Sequence, residues 1–327
     1  MKKSIRLLFV LLLCLAVVIA GYVLIGKHFS AQSEDEDIVT LAAASIDGDI
    51  KSISWSIEGK EICSLQKGVK WVLSTDSSFP LSQKKANNLA EKLKKIDAMK
   101  LVITEPESLE EYGLASPALK ITVVLDDGSK VIYSFGDKDM YSSGNYFVSS
   151  LENSVYLVDY RLSEEFPDDV YSLIDVEDLP ELANFNKLEI NSERKNISII
   201  KTDERYVSVE GEKEKILPDE KAEEIHTAAG AIKFNKCVNF KAEYDSYGLD
   251  KPAYTLKFTY TLEDGDSLEA IENELVLKIG SQNGEDYFAC VDNSKMIYTI
   301  TCSVIEPLLI DSVEQLTDET QKNENEN

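Results

Sequence analysis

Residues that commonly carry out catalysis are few and scattered in this sequence. It has two histidines: His28 lies near the N-terminus, and His226 takes a polar position on a predicted helix. A Ser–His–Asp triad, a Cys–His dyad and a histidine zinc site each need a histidine beside other specific groups. The G-x-S-x-G, P-loop and G-x-G-x-x-G patterns are absent as well. We therefore expect no catalytic residues, no cofactor and no metal site, and a protein that is not an enzyme.

Acidic residues are the remaining candidates for chemistry. Asp47 and Asp49 flank one glycine and Asp264 and Asp266 flank another, an arrangement that could attract calcium but completes no EF-hand loop. Solvated turns are the favoured interpretation. A glycosidase needs only two carboxylates, and nothing in the sequence singles out a pair. This leaves an alternative function open: an envelope hydrolase, or a carbohydrate- or small-ligand-binding protein that uses acidic residues in a cleft between repeats.

Four cysteines lie beyond the N-terminal apolar run: Cys63, Cys237, Cys290 and Cys302. Their spacing matches no zinc pattern. Cys63 and Cys290 stand in apolar, strand-like stretches, where a thiol usually behaves as a small hydrophobic group. We expect mostly free, buried thiols, although a disulfide outside the cytoplasm stays open.

The apolar run extends from Leu7 to Ile25 without a charge. Its 19 residues suffice for a helix to cross a bilayer core of roughly 30 Å, and the stronger positive flank precedes it. We interpret residues 1–28 as an N-terminal transmembrane anchor. The protein would then sit in the cytoplasmic membrane as a single-pass protein with an extracytoplasmic C-terminal part. The rival interpretation is a cleaved signal peptide, but the run is long for one and Phe29 stands at the −3 position of the nearest cleavage site.

Charge is strongly segregated along the chain. The whole chain carries a net charge of −25, with 34 basic and 59 acidic residues. The first 28 residues hold four of the basic residues and no acid, so 30 basic and 59 acidic residues follow, a net of −29. Such a surface repels nucleic acid and anionic lipid headgroups. It excludes a nucleic-acid partner and indicates either solubility or docking on a basic partner.

The chain compared with itself shows a tandem repeat. A shift of 135 residues places EYGLASPALKITV, from Glu111, on SYGLDKPAYTLKF, from Ser246. Ahead of each block lies a helical stretch with apolar positions at +3, +7 and +10, the spacing of one buried stripe. The predicted segments are an anchor at 1–28, an acidic stalk at 29–45, a first repeat at 46–175, a linker at 176–182, a second repeat at 183–312 and a disordered acidic tail at 313–327.

Each repeat reads as short alternating strands, one amphipathic helix, a turn, further strands and a short closing helix. Asp127-Gly128 and Asp264-Gly265 are hairpin-type dipeptides, and Ser82 and Asp219 are candidate helix N-caps. Strands with one helix and no regular βαβ alternation favour antiparallel layers. The predicted fold class is α+β: a single transmembrane helix followed by two repeats, each a mainly antiparallel sheet with one packed helix.

The repeated Tyr-Gly-Leu-x-x-Pro turn is the clearest candidate site. Its residues are Tyr112, Gly113, Leu114 and Pro117 in the first repeat and Tyr247, Gly248, Leu249 and Pro252 in the second. Glycine can adopt a positive φ in a turn, Tyr and Leu can anchor the turn on the core, and Pro favours an extended approach to the next strand. We expect a structural role, with ligand contact as the alternative.

With the Gly and Tyr-centred strand after it, this motif resembles the family of domain of unknown function 4340. Gly136, Tyr146 and Val155-Tyr156-Leu157-Val158 carry the resemblance in the first repeat, and Gly280, Tyr287 and Ile297-Tyr298-Thr299-Ile300 in the second. The resemblance implies a bacterial, membrane-anchored, extracytoplasmic protein without established activity; some members of the family are similar to proteins associated with ABC-type export or gliding-related complexes. The resemblance implies no catalytic residues for this sequence. We accordingly expect a non-enzymatic, membrane-tethered interaction or scaffold module, accessory to an envelope transport complex and partnered by one of its proteins.

Overall fold

A computed structural model of the chain describes residues 41–193, 195–202, 205–262 and 271–317. The first half, residues 41–175, forms an eight-stranded sheet in the order β4-β3-β2-β7-β8-β9-β10-β6, with every neighbouring pair antiparallel. Its strands are β2 (Ile50–Ile57), β3 (Lys60–Lys67), β4 (Trp71–Leu73), β6 (Lys100–Thr104), β7 (Leu119–Leu125), β8 (Lys130–Lys138), β9 (Gly144–Ser149) and β10 (Ser154–Asp159). A separate pair joins β1 (Ala42–Ser45) to β5 (Lys95–Asp97).

The second half, residues 183–317, forms a nine-stranded antiparallel sheet in the order β14-β13-β12-β11-β16-β17-β18-β19-β15. Its strands are β11 (Lys187–Ser192), β12 (Asn196–Lys201), β13 (Tyr206–Glu210), β14 (Lys213–Ile216), β15 (Cys237–Asn239), β16 (Tyr254–Leu262), β17 (Ile271–Asn283), β18 (Asp286–Val291) and β19 (Ile297–Thr301). The strand order is that of the first sheet with β14 added at one edge.

Alternation of apolar and polar side chains explains the strands. In β7, Ile121 and Val123 are fully buried whereas Lys120 is exposed, as a half-buried strand requires. The hairpin that leaves β7 turns at Asp127-Gly128. Gly128 has a φ of 85°, and the Asp127 carboxylate accepts the backbone N–H of Ser129 at 2.8 Å, the local chemistry that favours this turn.

One long helix packs on each sheet. Helix α1 (Gln83–Lys94) is capped by Ser82, whose hydroxyl accepts the N–H of Lys85 at 3.2 Å, and buries Ala86, Leu89, Ala90 and Leu93. Helix α3 (Asp219–Ala231) begins after Pro218, without the side-chain cap predicted at Asp219. The short helices are α2 (Arg161–Glu164), α4 (Cys302–Ile305) and α5 (Val313–Thr317), with 3-10 turns at Glu110–Tyr112, Val170–Leu173, Tyr244–Tyr247 and Glu306–Leu308.

One large apolar core runs through both halves, and a small second cluster forms around Leu249, Cys290 and Ile297. Among its largest members are Trp55, Trp71 and Tyr133, all almost completely buried. Burying their polar atoms would be costly without partners. The Trp55 indole donates to the Pro167 carbonyl at 2.9 Å, and the Tyr133 hydroxyl donates to the Leu93 carbonyl at 3.0 Å. These two side chains thus link the first sheet to the segments that cover it.

The predicted fold class is wrong in the form given above. Antiparallel sheet dominates the described residues, and none of the helices within those ranges is long and apolar enough to cross a membrane. The anchor predicted at 1–28 lies outside the described residues. That prediction came from the uncharged apolar run and the cations that flank it, and the described residues do not test it.

Two predicted segment boundaries also differ from the structure. Residues 42–45, assigned to the acidic stalk, form β1, where Ala43 and Ala44 are buried against the rest of the fold. Residues 313–317, assigned to a disordered tail, form α5, which packs on β13 and buries Val313 and Leu316. Both segments are short, and tertiary contacts rather than local pattern determine their structure.

Candidate functional site: the repeated turn and the loop it supports

The residue types that bind metal ions or act as histidine bases are scattered in the described part of the chain. No group of three or more His, Cys, Asp or Glu residues there is placed to hold a metal ion. His226 is half-buried on α3 and lines a surface cavity of about 320 Å³ with Arg205 and Asp219. Asp47 and Asp49 are exposed beside Gly48, in a turn, whereas the predicted pair at 264 and 266 lies outside the described residues.

The four cysteines of the described residues are free thiols, and three are buried. Burial raises the pKa of Cys63 to about 12 and the pKa values of Cys237 and Cys290 to about 11. A nucleophilic cysteine needs a lowered pKa, because the thiolate is the reactive form. These three thiols therefore act as small core side chains, and Cys302 is half-buried at the start of α4.

Among the described residues, the carboxyl groups whose pKa the fold shifts are all moved downward; they are Asp76, Asp127, Asp139, Asp159, Asp292 and Glu314. The Ser78 hydroxyl, helped by Lys241, lowers the pKa of Asp76 to about 2, and Arg161 lowers that of Asp159 to about 2. A carboxyl group that acts as a general acid needs the opposite shift. These acids are held in their charged form.

Five surface cavities of the described residues each lie within one half or the other. The largest of those found, about 610 Å³, lies between α1 and the segment Arg161–Leu173 of the first half, and cavities of about 420 and 410 Å³ lie in the second. None of them is lined by residues of both halves. The acidic cleft between repeats, on which the hydrolase alternative depends, is not among them.

The Tyr-Gly-Leu-x-x-Pro turns have the same geometry in both halves. Each begins with a 3-10 turn that ends at a glycine in the left-handed region, Gly113 at φ 67° and Gly248 at φ 68°. The leucine that follows is buried, as Leu114 in one half and Leu249 in the other. Pro117 and Pro252 are half-buried two residues before β7 and β16. The motif thus turns the chain into the strand after it.

Each turn rests on a second glycine, in the second strand after it. A Cβ atom on Gly136 of β8 would lie 2.1 Å from the Tyr112 carbonyl oxygen, and one on Gly280 of β17 would lie 2.2 Å from that of Tyr247. Both glycines lie at a register shift, between Phe135 and Lys138 in one sheet and between Ile279 and Gln282 in the other. Only glycine permits so close an approach of two backbones.

The tyrosine of each turn makes an edge-to-face aromatic contact. Tyr112 meets Tyr146 of β9 with ring centroids 5.1 Å apart, and Tyr247 meets Phe288 of β18 at 4.8 Å. These contacts favour a structural role for the motif. Gly248 and Gly280 also line the cavity of about 410 Å³ together with Lys251 and Ser281, which is where the ligand-contact alternative would have to operate.

In the first half, the turn also supports an exposed loop, residues 139–143, between β8 and β9. The Asp139 carboxylate accepts the Tyr146 hydroxyl and the Tyr141 N–H, each at 3.3 Å, and hydrogen bonds, that of Ser142 foremost, lower its pKa. Met140 and Tyr141 are nonetheless 89% and 94% exposed. In the second half a tight turn at Gly284, with φ 63°, replaces this loop. We call residues 139–143 the Met140–Tyr141 loop.

The two halves are joined by an aromatic cluster and an ion pair. Phe79 meets Phe240 with centroids 5.4 Å apart, and Tyr171 lies 6.0 Å from Phe79 and 6.3 Å from Phe240. Beside them, the Lys241 ammonium lies 3.0 Å from the Asp76 carboxylate. Together with the continuous core, these contacts fix one half against the other.

Sequence reasoning missed both the Met140–Tyr141 loop and the cluster between the halves. For the loop, a signal was present, since two large apolar residues stand among polar ones in KDMYSSG. For Phe79 and Phe240 there was none, because a contact between residues 161 positions apart has no local pattern. The turn residues were named from the sequence as a repeated motif, whereas their contact with Gly136 and Gly280 was not predicted.

Comparison with known proteins gives one family. The model of "Domain of unknown function (DUF4340)" matches residues 71–252, which is 182 of the 327 residues. The match begins at β4 of the first half and ends at Pro252 of the second, so it includes both turns. No curated protein and no solved structure matches the chain.

Proposed function

The chain belongs to the family of domain of unknown function 4340, and on that premise we propose that it is a non-enzymatic interaction module that holds a protein partner of an envelope transport complex. The Met140–Tyr141 loop is the contact that the partner recognises. The two halves are tandem copies of one unit, of which the first carries this loop. An extracytoplasmic location is part of the proposal and stays a prediction, because the residues on which it depends, 1–28, lie outside the described part.

The exposure of Met140 and Tyr141 is the observation that supports this function most directly. Tyr and Met are enriched where proteins bind one another, and a single buried aromatic side chain can dominate the binding free energy. Both side chains are almost wholly exposed, although the loop that carries them is tied down by hydrogen bonds to Asp139. A loop ordered before binding loses less conformational entropy on association.

The order of this loop depends on the repeated turn. Tyr112 packs against Tyr146, and the Tyr146 hydroxyl donates to Asp139. A series of contacts therefore connects the Tyr-Gly-Leu-x-x-Pro turn to the Met140–Tyr141 loop. This gives the motif a role in presenting a binding surface, beyond its role in turning the chain.

The charge of the protein restricts the partner. Its net charge of −25 repels acidic proteins at long range and speeds association with basic ones. A partner surface with an apolar pocket would accept the loop, and Lys or Arg residues around that pocket would be attracted by the negative charge of this protein. The downward carboxyl pKa shifts, and cavities confined to one half, weigh against the hydrolase and inter-repeat ligand alternatives.

Site-specific photo-crosslinking in cells tests the proposal. A photoreactive phenylalanine analogue replaces Tyr141 in one strain and Val69, which is fully exposed on the β3–β4 hairpin, in a matched control. We expect position 141 to give one dominant crosslinked envelope protein that position 69 does not give. Recovery of the protein only as a lone species, or the same products at both positions, would contradict the proposal.

A further inference from the structure

The two repeated turns differ in what lies against the glycine of the motif. In the first half, a Cβ atom on Gly113 would lie 2.5 Å from the carboxyl carbon and from one carboxyl oxygen of Asp137, so this carboxyl group packs directly on the turn. In the second half the residue directly after the strand glycine is Ser281, and its hydroxyl donates to the Tyr247 carbonyl at 3.1 Å. One turn therefore carries a carboxyl group of its own, and the other carries a hydroxyl in that place.

The exchange is accompanied by a cavity and by a lysine. A cavity of about 410 Å³ lies beside Gly248 and Ser281 and is lined by Lys251. The shift of 135 that aligns the two turns places Lys251 on Ser116 of the first half. The second turn thus lacks the carboxyl group, gains an ammonium group and borders a space within the size range of small-molecule sites. This combination fits a carboxylate that a ligand supplies.

Two carboxyl groups and an apolar wall complete the lining of this cavity. Glu193 and Asp311 contribute the carboxyl groups, and Ala253 and Tyr254 the apolar wall. The ion pairs of the described residues include neither these two acids nor Lys251. A ligand that complements one ammonium and two carboxylate groups carries one carboxylate and two ammonium groups. An aliphatic stem between them suits the apolar wall.

We propose that this cavity binds a free basic amino acid of the lysine and ornithine class. The ligand carboxylate lies against Gly248, in the place that the Asp137 carboxyl group has at the first turn, and it pairs with Lys251. The two ammonium groups of the ligand pair with Glu193 and Asp311. The site lies in the second half, apart from the Met140–Tyr141 loop of the first.

The exposure of the cavity determines the expected affinity. Lys251 and Glu193 are exposed, and ion pairs between exposed groups contribute little binding free energy. Binding is therefore weak and reversible, although the net charge of −25 attracts a cationic ligand. Specificity comes from the charges that the ligand presents. A neutral amino acid leaves one carboxylate of the cavity without a partner, and a diamine leaves Lys251 without one.

Isothermal titration calorimetry of the full chain tests the site, with L-lysine as the probe and a mild non-ionic detergent that keeps the apolar run 7–25 dissolved. Norleucine lacks the side-chain ammonium group of lysine, and cadaverine lacks its carboxylate. We expect lysine to bind, and each analogue to bind about tenfold more weakly because it loses one charge-assisted contact.

Two variants test whether lysine binds at the second turn. Lys251→Ser introduces the residue of the first turn, and Ser281→Asp introduces its carboxyl group, which competes with that of the ligand. Because the first half has these residues at the corresponding places, both variants should fold, and circular dichroism checks this. We expect either variant to bind lysine about tenfold more weakly. Lys60→Ser, at an exposed lysine of β3, is the control and should leave binding unchanged.

Three results would overturn the proposal. Lysine could show no binding to the wild type at any concentration tested. Norleucine or cadaverine could bind as tightly as lysine, which would exclude recognition of a basic amino acid by its charges. Lysine could also bind Lys251→Ser and Ser281→Asp as tightly as the wild type, which would place it elsewhere on the protein. None of these outcomes bears on crosslinking at Tyr141, so the two proposals fail separately.

Discussion

Gly136 and Tyr112 meet backbone to backbone: a Cβ atom on Gly136 would lie 2.1 Å from the Tyr112 carbonyl oxygen. The same relationship recurs between Gly280 and Tyr247 at 2.2 Å. Each turn can therefore dock on the sheet only where the strand beneath it has no side chain. The repeated motif therefore forms one structural unit with a glycine far downstream, Gly136 in the first half and Gly280 in the second.

Alanine at Gly136 should consequently destabilise the fold. The added methyl group must push the Tyr112 turn away from β8, and overpacking of this kind costs about 1–3 kcal/mol. We expect the urea midpoint of Gly136→Ala to fall accordingly. Gly68→Ala is the matched control, because its nearest neighbour would be a backbone oxygen 4.0 Å away. Equal midpoints for the two variants would show that the turn does not rest on Gly136.

The hydrogen bond from the Ser78 hydroxyl to Asp76, helped by Lys241, should make stability depend on acid pH. Folding lowers the pKa of Asp76 from 3.8 to about 2, so its contribution to stability is present above pH 3.8 and is lost as the pH falls toward 2. We expect Asp76→Asn to flatten the fall in melting temperature between pH 4 and 2. Asp47→Asn, at an exposed residue outside the ion pairs of the described residues, should leave that slope unchanged. A wild-type slope in Asp76→Asn would contradict the assignment.

Thiol alkylation should distinguish the buried cysteines from Cys302. Burial raises the pKa values of Cys63, Cys237 and Cys290, so at pH 8 the native protein should react first at Cys302 and much more slowly at the other three. Peptide mass spectrometry after timed alkylation measures each rate. In denaturant all four should react alike. Labelling of Cys63 as fast as Cys302 in the native protein would mean that the first sheet is open around Cys63.

The contact between the halves should be cooperative. Phe79→Ala and Phe240→Ala each remove one side of an aromatic pair, and such pairs contribute about 0.5–1.5 kcal/mol beyond their buried area. In a double-mutant cycle we expect a coupling free energy in that range, measured by urea unfolding. Phe79→Ala combined with Leu151→Ala, in the β9–β10 turn, is the control and should be additive. Additivity of the Phe79 and Phe240 variants would indicate halves that move independently.

Much of each sheet was predictable because its signal is local. Ile121 and Val123 alternate with polar residues, and Leu89 and Leu93 repeat at helical spacing. Strand β6 and the three-residue strands β5 and β15 give little local signal, since segments so short carry no measurable period and form only where a neighbouring strand pairs with them. The loop's exposure depends likewise on Asp139 and Tyr146, which meet only after folding.

The sequence misled most in the fold class and at two segment boundaries. The predicted fold class combined a transmembrane helix with two repeats, whereas the described residues, which do not include 1–28, contain two antiparallel sheets that share a core. Acidic composition likewise suggested a stalk and a tail. Ala43 and Leu316 are buried in those segments, because a few apolar residues there find a partner surface that composition does not reveal.

The central claim is that the Met140–Tyr141 loop holds a protein partner, and quantitative crosslinking in cells tests it most directly. Wild type, Tyr141→Ala and Val69→Ala are crosslinked, purified and compared by mass spectrometry at equal protein levels. We predict an envelope protein that wild type and Val69→Ala recover equally and that Tyr141→Ala recovers about tenfold less. Equal recovery of every crosslinked protein by all three would contradict the account.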